Sequence, residues 1–142
     1  MTGSFKSREN INDQIEMMLN NAQNSIIIQT TEQGILRKAK ILRKAIKKLK
    51  DKKLNIKIVA PITSKTKEVI AELKDIADVR HSEKIKARFV AVDNKELMFM
   101  LLDDEKVHPN YDTGVWVSSQ FFTSSFVNLF NTTWANLPKT KE

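Results

Sequence analysis

The chain has 142 residues and no cysteine, which excludes disulfides and thiolate metal sites. A net charge of +7, with 41% hydrophobic and 29% charged residues, indicates a globular chain and excludes a disordered one. No apolar run approaches the roughly 18 residues of a membrane span, and the N-terminus lacks a secretory pattern, so we expect a cytoplasmic protein with no membrane partner.

The first half of the chain predicts helices that alternate with strands. We expect residues 1–6 to be a leader outside the fold, residues 7–137 to form one domain and residues 138–142 to be a frayed tail. The predicted elements are a helix capped by Ser7, a strand from Ser25, a helix begun by capping-box spacing of Thr30 and Gln33, a strand over 55–61 and a helix from about Ser64. Such alternation favours parallel strands joined by helical crossovers.

The second of these helices holds most of the positive charge. Residues 36–53 contain ten basic side chains and one acid, a net +9, so the rest of the chain carries −2. Four exposed positions could contact nucleic-acid phosphates, namely Arg37, Lys40, Lys44 and Lys47. The alternative is a solvated helix whose long side chains shield an apolar stripe of Leu36, Ala39, Leu42, Ala45, Ile46 and Leu49, and we favour it because aromatic residues are absent from the segment.

From residue 79 the chain becomes richer in strands. Strands are predicted over 79–81, 87–92, 97–102 and 115–117, with a turn at Asp93-Asn94-Lys95. A last helix over 120–135 presents Phe122, Phe126, Leu129, Phe130 and Trp134, which we assign to the core or to a dimer surface. The fold class is therefore α/β, with a mixed, mostly parallel sheet between helices.

Polar residues that follow the predicted strands are candidates for a pocket edge. Thr30, Thr31 and Thr63 lie where α/β sheets commonly bind ligands, although helix capping explains them equally well. His108, Tyr111 and Asp112 could form a hydrogen-bonding cluster at the same edge or anchor a turn. Neither histidine has a partner at metal-ligand spacing, and Asp103-Asp104-Glu105 has the character of a solvated turn, so we expect no metal and no cofactor.

The stretch from Lys84 to Asp93 resembles the signature strand of the phospholipase D superfamily, His-x-Lys-x4-Asp. Lys86 stands at the place of the histidine nucleophile and Arg88 at the place of the lysine, followed by Asp93. The resemblance implies one half of a phospholipase D-like fold. An unperturbed lysine is protonated at neutral pH and is a poor nucleophile, so we expect no enzyme activity. The three residues could still line a relict pocket for an anionic or sugar-like ligand, or be ordinary polar side chains.

The segment 107–117 and the strand from Ile26 are similar to the C-terminal domain of archaeal TrmB-type transcription regulators. That resemblance implies a domain that senses an effector and forms a homodimer, while DNA is read by a separate N-terminal winged helix that this sequence does not contain. The rival hypotheses are a divergent phosphodiesterase or nuclease, and a nucleic-acid-binding module that uses the basic helix.

Overall fold

The computed structural model describes residues 1–49 and 51–140 of the chain. Predictions about Lys50 and residues 141–142, and about the side chain of Ile46, lie outside the described residues. The elements, in chain order, are β1 (Thr2–Lys6), α1 (Arg8–Asn20), β2 (Ser25–Gln29), α2 (Glu32–Leu49), β3 (Asn55–Ala60), α3 (Lys67–Leu73), β4 (Asp78–His81), β5 (Phe89–Val92), β6 (Glu96–Met100), a short 3-10 helix (Pro109–Tyr111), β7 (Thr113–Ser118) and α4 (Gln120–Asn136).

One sheet of seven strands runs through the molecule in the order β1-β7-β6-β5-β2-β3-β4. Strands β2, β3 and β4 are parallel to one another, whereas the pairings β2–β5, β5–β6, β6–β7 and β7–β1 are antiparallel. The α/β class and the mixed sheet are confirmed. The prediction that the sheet is mostly parallel is wrong, because four of the six strand pairings are antiparallel. The turn from β5 to β6, for example, is too short for a parallel crossover.

Both faces of the sheet are covered, which explains the nearly continuous apolar strands. On β5, Val90 and Val92 pack into the core beneath α1, α2 and α3, whereas Phe89 and Ala91 pack beneath α4. This alternation follows the two-residue period of a strand. The sheet is thus the middle layer between three helices on one face and one helix on the other.

Residues 1–6 contradict the expectation of a leader outside the fold. Thr2–Lys6 form the edge strand β1, which pairs with β7 from Thr2 opposite Val117 to Lys6 opposite Thr113. Phe5 also packs against the main core. The segment is short and contains glycine and serine, so its propensity alone gave no strand signal.

The predicted cap of α1 is confirmed, whereas the cap of α2 lies one residue further along the chain than predicted. Ser7 caps α1, with its side chain accepting from the Asn10 amide. The cap of α2 is Thr31 rather than Thr30, since its hydroxyl oxygen accepts from the Gly34 amide at 3.0 Å. Gly34 is required there because a Cβ at this position would collide with the Thr30 hydroxyl.

The turn between β5 and β6 has the predicted place and an identifiable geometry. Asp93 and Asn94 both adopt positive φ, at 57° and 56°, as a tight hairpin of the I′ type requires.

On α4, Phe130 and Trp134 are buried as predicted, whereas Phe122 and Leu129 are exposed. Thr123 and Val127 take the inward positions instead. Among the described residues no helix has the length and apolar character needed to cross a membrane.

Candidate functional site

A cavity of about 270 Å³ opens at the carboxyl ends of β2 and β3. Its lining includes three residues singled out from the sequence, Thr31, Thr63 and Lys86. Three carboxylates that the sequence reasoning did not select also line it: Glu32, Glu83 and Glu105. Against these, Lys86 is the only basic side chain among the described residues of the lining, which therefore carry a net negative charge at neutral pH.

Lys86 lies at the rim of this cavity. Its side chain is 64% exposed, and its ammonium group lies 3.9 Å from the Glu105 carboxylate. An exposed pair at that distance contributes little to stability, since both charges are largely screened by water. Lys86 can therefore reorient toward a ligand at small cost.

Arg88, two residues on, is in a different environment. Its side chain is only 3% exposed, and both of its terminal nitrogens donate to the Asp112 carboxylate, at 2.9 and 3.0 Å. It also donates to the Leu102 carbonyl oxygen at 2.8 Å. This bidentate pair uses the geometry that Arg would offer a phosphate, so Asp112 occupies the anion-binding face of the guanidinium.

Asp93 lies at the other end of β5, away from Arg88. Its carboxylate accepts hydrogen bonds from the backbone amides of Gln23, Asn24 and Ser25, at 2.7 to 3.2 Å. It closes the loop between α1 and β2. Lys86, Arg88 and Asp93 are consequently not brought together, and only Lys86 lines the cavity.

The other residues predicted for the pocket edge are not part of the described lining of the cavity. Thr30 is buried beneath Gly34 and does not line the cavity. His108 accepts from the Asn110 amide and caps the 3-10 helix, and Tyr111 is 71% exposed beside it. Asp112 is fully buried in the pair with Arg88. For His108 the interpretation as a turn anchor fits this geometry.

A buried charge cluster lies behind the cavity and joins it to the segment 101–112. Asp112 binds Arg8 as well as Arg88, with the Arg8 Nε at 3.2 Å. Asp104 accepts from the Thr31 hydroxyl at 2.6 Å and from Arg37 at 2.8 Å. The cluster thus connects α1, α2 and the end of β2 to both ends of the segment 101–112.

The two carboxylates of the cluster are held in their charged form. Burial acts to raise the pKa of Asp104, but hydrogen bonds from Thr31 and Arg37 outweigh it and hold that pKa below its usual value. Burial likewise opposes ionisation of Asp112, but its bonds to Arg88 and Arg8 bring the pKa below the ordinary range. Asp104 is therefore part of a buried ion pair and does not belong to a solvated turn.

Lys38 completes the cluster as a buried amine. Desolvation, reinforced by the positive charges of Arg37 and Arg88, lowers the pKa of Lys38 from 10.5 to about 7. Sequence reasoning missed it because it was counted with the basic surface of α2. The signal was its position, since residue 38 lies one turn from both Ile35 and Leu42 on the buried face.

The four residues proposed as nucleic-acid contacts are set in a mixed environment. Arg37, Lys40 and Lys44 share a groove with Glu9, Asp13 and Glu16 of α1, so their charge is locally balanced. Lys47 lies further along α2, by a second cavity. Among residues 1–49 and 51–140, no group of three or more histidine, aspartate or glutamate side chains is arranged to hold a metal ion.

Comparison with solved structures places the fold. The archaeal chromatin protein TrmBL2 superposes with a TM-score of 0.76 at 22% identity, covering 98% of this chain and 54% of that one. NucT from Helicobacter pylori gives 0.74 at 11% identity, with 99% of both chains covered. Nuc from Salmonella typhimurium, a phospholipase D family member, gives 0.74 at 14% identity, covering 100% of this chain and 99% of that one.

These likenesses show that the fold is phospholipase D-like, as the sequence predicted. The chain spans about half the length of TrmBL2. No curated protein matches by sequence. The model of the N-terminal subdomain of the effector-binding domain of the transcriptional regulator TrmB matches residues 4–137, nearly the whole chain. The chain therefore belongs to the TrmB family of transcriptional regulators, as the N-terminal subdomain of the effector-binding domain.

Proposed function

We propose that this domain senses an effector and pairs with a second copy in a TrmB-type regulator, without phosphodiesterase activity and with DNA read by a separate domain. The observation that carries the proposal is the closed Arg88–Asp112 pair. In a phospholipase D-like site the cation at the position of Arg88 would stabilise the phosphoryl oxygens. Here the Asp112 carboxylate already binds that cation. The phosphate would have to displace a buried, bidentate partner.

The nucleophile position adds a second obstacle to catalysis. Lys86 is exposed at the rim, and its nearest charged partner is Glu105. The described residues that line the cavity with it are threonine, proline, isoleucine and carboxylate side chains, and none is a histidine. His81 lies beside the lining, where its Nδ1 accepts from the Ile62 amide at 2.8 Å. A covalent phosphohistidine route therefore has no candidate group in this cavity.

Hydrolysis of bis(p-nitrophenyl) phosphate tests the absence of catalysis. We expect no turnover above the uncatalysed rate from the protein or from its Lys86→His variant, because Arg88 stays neutralised by Asp112. An active phospholipase D nuclease run in parallel verifies the assay. Turnover that disappears in Lys86→Ala would show that the protein is an enzyme.

The effector that best suits the cavity is a neutral polyhydroxyl compound. Glu32, Glu83 and Glu105 can accept hydrogen bonds from hydroxyl groups, and Lys86 can donate. An anionic ligand would meet three carboxylates for one ammonium group, so we favour the sugar-like alternative over the anionic one. The cavity volume, about 270 Å³, lies just below the usual range of small-molecule sites, which suits a compact ligand of one or two rings.

Such a ligand could act through the segment 101–112. Glu105 lines the cavity, and its neighbour Asp104 is bonded to Thr31, which also lines it. A ligand that competes for the Thr31 hydroxyl or for Glu105 would loosen the anchor of this segment. The segment has Asp112 at its far end, so the change would reach α1 through Arg8. This chain of contacts is the proposed route of the effector signal.

A thermal-shift panel of neutral sugars and the matching sugar phosphates tests this proposal. We expect at least one neutral sugar to raise the melting temperature, and its phosphate to raise it less. Glu83→Gln, which alters the lining, should reduce the shift, whereas Glu68→Gln on the exposed side of α3 should not. A larger shift with the phosphate would reverse the assignment of ligand charge.

Pairing is proposed through α4. Phe121 and Leu129 are 83% and 72% exposed, and Phe122 adds a third exposed apolar side chain on the same helix. Phe126 and Leu129 line a shallow groove with Ile85, close in sequence to Lys86. A second copy would cover this apolar surface, and a closed two-fold pairing is the commonest arrangement of soluble oligomers.

Light scattering coupled to size exclusion tests the pairing. We expect a mass twice the 16.3 kDa of the chain. Leu129→Lys should give a monomer, because it places a charge in the apolar surface. Met17→Lys is the matched control, because Met17 is a 59% exposed apolar residue of α1, on the sheet face opposite α4. A wild-type mass of one chain at all concentrations would refute pairing by this domain.

A further inference from the structure

A second and larger cavity, of about 560 Å³, lies at the opposite edge of the sheet from the candidate site. It is formed where α2 ends, β3 begins and the chain leaves α3, so its floor is made by core side chains. Those that matter most are Leu42, Ala45, Leu49, Ile26, Ile56 and Ile76. All but Ile76 are at most 9% exposed, so the floor of this cavity belongs to the main core.

The cavity interrupts the packing of the main core. Protein cores pack as densely as organic crystals, and voids larger than a water molecule are few. An open apolar cavity of this volume falls in the range of small-molecule sites. A ligand that buries an apolar chain there would recover the dispersion contacts and the apolar burial that the open cavity forgoes.

The rim of the cavity carries charge of one dominant sign. Lys47, Lys52 and Lys53 line it, against one carboxylate, Asp75. Lys52 donates to the Ala22 carbonyl oxygen at 3.1 Å, which ties its ammonium group down. The side chains of Lys47 and Lys53 are exposed, and neither makes a hydrogen bond or an ion pair with any other described residue. Two free cations thus stand above an apolar floor.

We infer that this cavity binds a free anionic amphiphile, a long-chain carboxylate whose hydrocarbon tail lies against Leu42 and Leu49 and whose head meets Lys47 and Lys53. The site is separate from the effector cavity at the other edge of the sheet. It is also independent of the proposed function, because it uses neither Lys86 nor the buried charge cluster. A neutral amphiphile would leave the two ammonium groups unpaired, and a small anion would leave the floor empty.

Calorimetric titration with dodecanoate, below its micelle concentration, tests the inference, with dodecanol and acetate as the two half-ligands. We expect saturable binding of dodecanoate with one site per chain, weaker binding of dodecanol and none of acetate. No saturable binding of dodecanoate up to millimolar concentration would overturn the inference. Equal affinity for dodecanol and dodecanoate would show that the lysines do not bind the carboxylate, and would also overturn the inference.

Variants locate the site. The double variant Lys47→Glu/Lys53→Glu should weaken dodecanoate binding about tenfold, the size expected of two charge reversals at an exposed rim. The matched control is Lys40→Glu/Lys44→Glu, which makes the same change of charge on α2, in the groove beside α1. The control should stay within about twofold of the wild type, and an equal loss in both would mean that only net charge matters.

Filling the cavity gives an independent test. Ala45→Phe places a ring in the space and should abolish binding while the circular dichroism spectrum is kept. If that variant does not fold, the charge variants still decide. Tighter binding to phosphatidylglycerol vesicles than to free dodecanoate would indicate a membrane surface as the occupant. Loss of the site as the protein self-associates would indicate a second copy, and either result would overturn the inference.

Discussion

The substitution Lys38→Met tests whether a buried amine makes the stability of this domain depend on pH. Lys38 is 4% exposed and lies among Arg37, Arg88, Asp104 and Asp112. Its pKa is lowered from 10.5 to about 7, first by desolvation and then by the neighbouring arginines. Methionine has a similar length and carries no charge, so it fills the space without the cost of burying an ammonium group.

The sign follows from proton binding. Between pH 7 and pH 10.5 the unfolded chain holds a proton on Lys38 that the folded chain has released. The unfolding free energy therefore rises with pH across this window, and below it the full cost of the buried charge is present. The difference between the two pKa values corresponds to about 5 kcal/mol in total, of which about 3 kcal/mol falls between pH 6 and pH 9.

Urea unfolding of the wild type and of Lys38→Met at several pH values measures this. We expect the variant to be the more stable at pH 6 and its advantage to shrink by about 3 kcal/mol by pH 9. Lys40→Met, at an exposed position of the same helix, is the control and should follow the wild type at every pH. Parallel pH profiles of the wild type and Lys38→Met would refute the assignment of a neutral buried amine.

Three further changes probe other contacts. Asp112→Asn removes the negative charge that the buried Arg88 and the partly buried Arg8 share, and should cost about 3 kcal/mol at neutral pH. Because the pKa of the Asp112 carboxyl is lowered, this loss should shrink as the pH falls through that pKa and the wild type is protonated, which acid unfolding followed by fluorescence would show. Gly34→Ala should destabilise the domain by about 2 kcal/mol through collision with the Thr30 hydroxyl, and Thr30→Ala in the same chain should restore most of it, as a double-mutant cycle in urea would reveal. Asp93→Ala removes the acceptor of three backbone amides and should cost about 2 kcal/mol, yet leave the thermal shift given by a neutral sugar intact; a lost shift would place Asp93 in the site.

Strongly periodic and β-branched segments were predictable from the sequence. Ser7 as a cap, the strand from Ser25, the long basic helix and the final helix are all confirmed. Strand direction after β4 was harder, because direction depends on the length and route of a connection and local propensity carries no information about it. The edge strand Thr2–Lys6 is stabilised by its pairing with β7, and no local sequence pattern predicts that pairing.

The candidate site was predictable only in part. Thr31 and Thr63 could be placed at one edge because the carboxyl ends of neighbouring parallel strands meet there, whereas Lys86 was selected only from its position in the signature motif. The Arg88–Asp112 pair could not be foreseen, since the partners lie 24 positions apart and join a strand to an irregular segment. Glu83 and Glu105 could not be assigned to the cavity for the same reason, because their positions in its lining depend on how two loops fold back over the sheet.

The pairing of β1 with β7 has a consequence for the order in which the molecule assembles. The Met1 amino group donates to the Ser118 carbonyl oxygen, a contact between residues 117 positions apart. Closing so long a loop is entropically unfavourable until the intervening chain is already compact, whereas β5, β6 and β7 are each connected locally. The first strand of the chain is thus expected to dock last during folding. By the same reasoning its amide protons should be among the first to exchange with solvent, through an opening that leaves the rest of the sheet intact.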